Sequence, residues 1–573
     1  MQTKALMLVA SLIVLGLATF DASGSLQVGI YTDADTYRPE DTIEVSLSAS
    51  NSGGGTSVDV YIGLIAPDGR TYTQPGSDVW DEGIHAWMMN IYLESGFAMG
   101  PKTYWWFSSP RTRPPIEEPG TYSFVAVLTR PGTLQWVCDA SFALFEMRPP
   151  PPYHLYVDAE SGDDGAEGTE LDPWKTIAHA VDCAEGVVDS PTTVHIQPGT
   201  YSASTNGEVF PINLKDSVSL SGSDPELTIL DAEGMADHVI QCEHVSDVVI
   251  ESLTITGGDT IHVGGGICCE SSWLTIQNNV ITQNHADSGG GVGCSNSWAY
   301  VAQNTLSDNE ANSGGGIYSR ASCVMIVGNS IESNYGGYGA GAFSESSWVT
   351  IEDNVVNGNR GLVGGSGLYC LSSWMTIQRN TIQANYAPQG AGAGIYVGGC
   401  SCTIANNTIE RNEAYYFGGG ISCWDCSVRI TNNIISRNST YNQGGGIYCS
   451  GGSPIMQSNT IVNNKGSGIC LFDYSVAITD CILWGNSLVP DLEGRCTAIY
   501  CCIEGDYEGI GNIHDDPMFV PGPLGEYYLD PLSPCIDAGS RSASEAGLSG
   551  WTTQADGSPD SGVVDMGAHY PIP

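Results

Sequence analysis

The sequence predicts an all-β chain: a right-handed parallel β-helix of about eleven coils, preceded by a β-sandwich and followed by a C-terminal cap. Three observations predict it. First, a phrase repeats: "SSWLTIQNNVITQN" from Ser271 returns as "NSWAYVAQNTLSDN" from Asn296, each after a glycine triplet. Second, the phrases keep a fixed period. Asn284, Asn309, Asn334, Asn359, Asn385, Asn412, Asn438, Asn464 and Asn486 follow one another at steps of 25, 25, 25, 26, 27, 26, 26 and 22 residues. Another Asn stands five residues before each of these, except in the last coil, where Cys481 takes its place. Third, apolar residues alternate with tolerant ones inside each unit, as in Leu274-Thr275-Ile276 and Ala299-Tyr300-Val301. A two-residue alternation is a strand with one face buried, and a ~25-residue period stacks such strands coil on coil.

Residues 1–24 read as a secretion signal, with Lys4 before the apolar run "ALMLVASLIVLGLA" and cleavage expected after Ala18 or Gly24. The alternative, an uncleaved anchor, needs a run nearer ~20 residues. Residues 25–147 hold short alternating strands separated by turn clusters such as "NSGGG" and "APDGR", an immunoglobulin-like plan with a spacer or adhesion role. The proline-rich run 148–152 is a stiff linker. The β-helix occupies 153–487 and opens on a helix near 173–185, with Asp172 as N-cap, Pro173 in the first turn and Gly186 beyond its end. Each coil is expected to carry three short strands, with inward Asn rows forming amide ladders and glycines turning the corners. Residues 488–573 are the cap segment.

Charge narrows the partners. With 64 acidic against 19 basic residues and a formal net charge of -45, the chain repels nucleic acid and anionic membrane, and a polyuronate unless a cation screens it. No membrane span is expected in the mature chain, which reads as an exported monomer, secreted or on a bacterial cell surface. The 19 cysteines lack metal-ligand spacing. Cys269, Cys294, Cys370, Cys423 and Cys449 fall at an inward position, as small buried fillers or as bridges between coils (Cys269–Cys294, Cys423–Cys449). Cys496, Cys501, Cys502 and Cys535 lie outside the repeat, where a bridge is expected.

Two aromatic columns stand out as candidate binding residues. Tyr318, Phe343, Tyr369, Tyr396 and Tyr448 follow the third-strand aliphatic residue; Trp273, Trp298, Trp348 and Trp374 form a second column interrupted by Cys323. Placed outward at ~4.8 Å steps they make a platform for the apolar faces of sugars, or stiffen the coils. A polysaccharide or cell-surface glycan is the partner that this chemistry suits. For metal, the loops holding Asp158, Asp163 and Asp164 and those holding Asp556, Asp560 and Asp565 admit calcium, against plain turn chemistry; no complete calcium-loop spacing is present. Asp353 and Arg379 are expected to pair across coils; Arg411 and Arg437 share a column and are read as solvated, with a carboxylate held between them as the alternative. His262 and His285 stand alone, and no convergent acid–base set is visible.

"LYVDAESGDDGAEGTELDPWKTIAHAVDCA…VHIQPGTYSA" and "DDPMFVPGPLGEYYLDPLSPCIDAGS…VVDMGAHYP" resemble the opening and closing segments of secreted bacterial members of the pectin lyase-like superfamily. The resemblance covers about 155–573 and implies the β-helix. It includes polysaccharide lyases, hydrolases and epimerases, yet the chain carries none of their catalytic motifs: no Asn-Thr-Asp, Gly-His-Gly or Arg-x-Lys set and no Asp-Pro-His-Glu. Recognition or scaffolding is therefore the first expectation, and a lyase or hydrolase with a divergent site the alternative.

Overall fold

The computed structural model describes residues 26–34, 36–37, 43–66, 70–73, 81–82, 88–95, 97–107, 120–132, 140–147, 153–184, 191–472, 476–487, 491–505 and 507–572. The expected signal (1–24) and proline linker (148–152) lie outside them. Two compact units divide the chain, 1–151 and 152–573. No helix among the described residues is long and apolar enough to cross a membrane.

In the first unit, Leu26–Thr32, Ile43–Asn51 and Phe97–Phe107 form one antiparallel sheet. Thr56–Ile65, Gly120–Thr129 and Ser141–Met147 form the centre of a second. Alternation puts Ile30, Val45 and Leu47 of the first and Ile62, Leu64, Phe124 and Phe145 of the second into one core. There the Tyr122 and Phe124 rings stack on Phe145 at centroid distances of 5.6 and 5.4 Å.

The second unit is a parallel β-solenoid of about eleven turns. One coil shows the plan: Val292–Ser295, Trp298–Ala302, Thr305–Ser307 and Glu310–Ser313. Each strand pairs in register with its counterpart one coil away, as in Leu274↔Ala299↔Val324↔Val349. Three ladders result, of 25, 13 and 7 strands; the first spans two faces because Ile421–Thr431 runs unbroken around their corner. Seven coils therefore carry a fourth short strand, from His285–Ser288 to Ser439–Thr440, where three per coil were expected. Ile276, Ile281, Val292 and their equivalents fill the lumen at 0–2 % exposure. Each such side chain contributes about 1.5–3 kcal/mol of burial.

The corners differ from the expectation of glycine bends. The residue before each inward Asn is a non-glycine in the left-handed region in most coils, for example Asn278, Gln283, Asp308, Ser333 and Asp353 at φ 54–57°. That conformation costs roughly 1–2 kcal/mol for a side-chain-bearing residue, and the next residue offsets it. Asn309 Nδ2 donates to Ile281 O at 2.8 Å and to Asn334 Oδ1 at 3.1 Å, and its Oδ1 accepts the Asn284 N–H at 3.1 Å. A third ladder, unforeseen from sequence, turns the remaining corner. Ser272, Ser297, Ser322, Ser347 and Ser373 pass backbone N–H bonds from coil to coil, and Cys400 and Cys426 continue the row through sulfur. Glycine is indispensable at the triplet's last position: a Cβ on Gly341 would lie 2.5 Å from Gly367 O.

The opening helix is shorter than expected, Ile177–Cys183, and Thr176 rather than Asp172 is its N-cap. Two carboxylates explain the shift. Asp164 accepts from the Lys175 and Thr176 N–H groups, both at 2.9 Å, which holds that stretch extended. The buried Glu208 takes the free N–H groups of Ile177 and Ala178 at 2.8 and 2.9 Å. Burial pushes the Glu208 carboxyl up in pKa, against those bonds. At the other end, the segment after 514 lies along the outer face of the 13-stranded ladder. There the outward residues turn apolar: Ile434, Val462 and Trp484 meet Tyr527, Tyr528 and Tyr570, and Asn432 exchanges two bonds with the His569 backbone, 2.9 and 2.7 Å.

Candidate functional site

The two aromatic columns part company. Tyr318, Phe343, Tyr369 and Tyr396 do stack, with centroid spacings of 5.5, 5.3 and 4.4 Å and planes within 13°. They are roofed over, however. Tyr318, Phe343, Tyr369 and Tyr448 are only 7, 7, 9 and 4 % exposed, and Tyr396 is half-buried. The turn before the glycine triplet folds across them: Tyr338 meets Tyr369 edge-on at 5.3 Å, and Phe417 stacks on Tyr448 at 4.5 Å. Burial raises the phenol pKa of Tyr318, Tyr369 and Tyr396. The expectation of an outward ring platform on this column is corrected; alternation predicts only that a side chain leaves the lumen, not that solvent reaches it.

The tryptophan column is open. Trp273, Trp298, Trp348 and Trp374 are 65, 38, 61 and 53 % exposed. They occupy one register row, Trp273↔Trp298↔Cys323↔Trp348↔Trp374. Trp348 and Trp374 stack at 4.9 Å and 21°, whereas Trp273 and Trp298 are 6.3 Å apart and tilted by 41°. Two rows flank them on the same flat face. One holds Thr275, Tyr300, Met325, Thr350 and Thr376; the other includes Gln277, Glu352 and Gln378. Gln378 donates to Glu352 at 2.9 Å, and Arg379 forks onto Asp353 at 3.0 and 3.1 Å while also pairing with Glu352. The Asp353–Arg379 pair is as the sequence predicts. The face thus offers bare indole rings beside hydroxyl, amide and carboxylate groups.

Other candidate residues are engaged by their own chain. Arg411 and Arg437, rather than being merely solvated, flank the Glu410 carboxylate at 3.1 and 3.7 Å, and Arg437 also pairs with Glu526. His285 meets Asp259 at 2.6 Å on the surface. Asp158 accepts from Glu160 N, Ser161 N and Ser161 Oγ, and Asp163 from Gly165 N. Exposed Asp556 accepts from Ser558 N, which lowers its pKa. Asp560 and Asp565 come together with His569 in the one buried group of potential metal-binding geometry among the described residues. There His569 Nε2 and Asp560 Oδ2 are 2.7 Å apart, Asp565 accepts from Thr553 Oγ1 at 2.5 Å and from Asp537 N at 2.7 Å, and burial raises the Asp565 pKa. These bonds fit turn and docking chemistry, and the 2.7 Å between His569 and Asp560 is that of a direct hydrogen bond.

Sequence reading missed a second exposed aromatic group. Tyr386, Tyr415, Tyr416 and Tyr441 are 39, 47, 45 and 69 % exposed beside the fourth strand row, with Arg360 over the Tyr386 ring and Lys465 over Tyr441 at 5.8 and 5.7 Å. The signal was the "AYYF" run at Ala414–Phe417, together with the longer steps of 26 and 27 residues, whose extra residues fall in this turn.

A family model described as "Right handed beta helix region" matches residues 366–505, and one described as "Protein of unknown function (DUF1565)" matches 160–372. The solenoid is a right-handed parallel β-helix. No curated protein matches the chain. Among solved structures, a lacto-N-biosidase from Eubacterium ramulus is similar at 12 % identity over 60 % of this chain and 67 % of that one, TM-score 0.31. The A-module of a mannuronan C-5 epimerase from Azotobacter vinelandii is similar at 14 % identity over 63 % and 100 %, TM-score 0.28. A tailspike of E. coli bacteriophage HK620 is similar at 10 % identity over 64 % and 70 %, TM-score 0.19.

Proposed function

We propose that this chain is an exported recognition protein that holds a neutral polysaccharide along its coil axis on the tryptophan face. The exposed Trp273/Trp298/Trp348/Trp374 row carries the reading. Four indole rings left in water on a flat parallel sheet cost apolar exposure, and a sugar's C–H face removes that cost while the neighbouring hydroxyls and amides take its polar edge. The formal charge of -45 opposes an acidic glycan, so a neutral one suits the face. The N-terminal unit serves as an immunoglobulin-like spacer, and the segment from 488 acts as the cap that shields the last coils. The protein works as a secreted or surface-bound monomer.

Affinity electrophoresis in gels cast with neutral polysaccharides, with and without calcium, tests this. Retardation by at least one glycan is expected, and Trp348→Ala/Trp374→Ala should remove it with the thermal midpoint unchanged. Undiminished retardation of the double variant sinks the proposal. Release of reducing ends or unsaturated sugars would instead favour a lyase or hydrolase.

A further inference from the structure

The cysteines form a pattern that neither the coil repeat nor the tryptophan face requires. All those described are buried except Cys183, Cys323 and Cys496. Ten of them meet in five pairs, each joining neighbouring turns of the chain. Cys269 and Cys294 are register partners on adjacent strands, as are Cys423 and Cys449, with their thiols in hydrogen-bond contact. Cys400 and Cys426 are the last two rungs of the serine ladder; Cys400 N–H donates to Cys426 Sγ at 3.4 Å, and the two thiols also touch. Cys481 and Cys501 take over the first asparagine ladder: Asn459 N–H donates to Cys481 Sγ at 3.4 Å, and the Cys481 thiol meets Cys501. The fifth pair, Cys502 and Cys535, links the final coil to the C-terminal segment. In-register neighbours stand about 4.8 Å apart at Cα, inside the roughly 4.4–6.8 Å window of a disulfide.

We propose that these five pairs are oxidative modification sites, closed to cystines by a small-molecule disulfide as the chain folds. One thiolate of a pair attacks the small disulfide and expels one of its halves as a thiolate. The second thiolate of the pair then attacks the mixed disulfide and expels the other half. Two cysteines are oxidised, one small disulfide is reduced to two thiols, and those thiols take up the two protons. Burial of every pair places the reaction before the coils close over it. The product is a β-helix stapled between neighbouring coils at four places, with its C-terminal segment locked onto the last turn.

The full chain, refolded from denaturant in mixed oxidised and reduced glutathione, provides the test. It is denatured again, alkylated without reduction and peptide-mapped. Ten of the nineteen cysteines should resist alkylation, and cross-linked peptides should join Cys269–Cys294, Cys400–Cys426, Cys423–Cys449, Cys481–Cys501 and Cys502–Cys535. Alkylation of all nineteen, or bridges between other cysteines, overturns the proposal. In the Cys502→Ser variant, Cys535 alone should become newly reactive. If Cys535 acquires a different partner, the assigned pairing is wrong. The mapping of the parent chain stands even where this variant does not fold.

Discussion

Replacing Asn359 by Ala isolates what an asparagine rung contributes. Asn359 is fully buried. Its Oδ1 accepts from the N–H and the Nδ2 of Asn334, both at 3.0 Å. Its Nδ2 donates to Ile331 O at 2.9 Å and to Asn385 Oδ1 at 3.0 Å. Alanine removes all four bonds. Asn385 Oδ1 keeps the Asn359 backbone N–H at 3.0 Å, so it is not orphaned. Two Asn334 donors and the Ile331 carbonyl lose a partner in a lumen lined by aliphatic side chains. At about 1–3 kcal/mol for each of these three buried polar groups left unmade, the loss is about 3–9 kcal/mol. Because each coil touches only its neighbours, the damage should centre on residues 331–385. Guanidinium unfolding followed by circular dichroism measures the total, and hydrogen exchange locates it. A loss below about 1 kcal/mol, or exchange that rises evenly over all coils, would refute the view that the amide ladder and not the aliphatic fill sets corner stability.

Two more outcomes follow from buried groups. Tyr369→Ala should destabilise the coils by about 3–5 kcal/mol, as loss of a large buried aromatic does, yet leave glycan retardation intact wherever the variant folds; lost binding with unchanged stability would return this column to the surface. Asp491 is buried, neither carboxylate oxygen meets a hydrogen-bond partner among the described residues, and burial pushes it up to about 7, with the nearby Asn486 amide opposing in part and Glu504 adding to the rise. Folding therefore retains a proton that the unfolded chain releases near pH 4, so its contribution is present below that pH and fades as pH rises toward 7. Asp491→Asn should leave stability at pH 3 unchanged and raise it at pH 8, by at most about 4 kcal/mol. Equal effects at both pH values in denaturant titrations would contradict a protonated Asp491.

Much of the β-helix is legible in the chain because its information is local and repeated. An inward Ile, a step of five to the next Asn and a return after 25–27 residues can each be read without knowing what lies nearby, and stacking forces the same contact in every coil. The buried Asn rows and the Asp353–Arg379 pair follow from that register alone. What only the tertiary structure decides is how the outer surface is covered. Tyr369 and Trp374 both point away from the lumen in adjacent strands of one coil, but a turn of variable length folds across the first and leaves the second in water. The same holds for Ile434 and Val462, which alternation assigns to solvent and the C-terminal segment buries. The helix start moved from Asp172 to Thr176 because Asp164 and Glu208, distant in sequence, capture its backbone donors. Periodicity fixes direction from the lumen; exposure depends on what other chain arrives there, and no residue encodes that by itself.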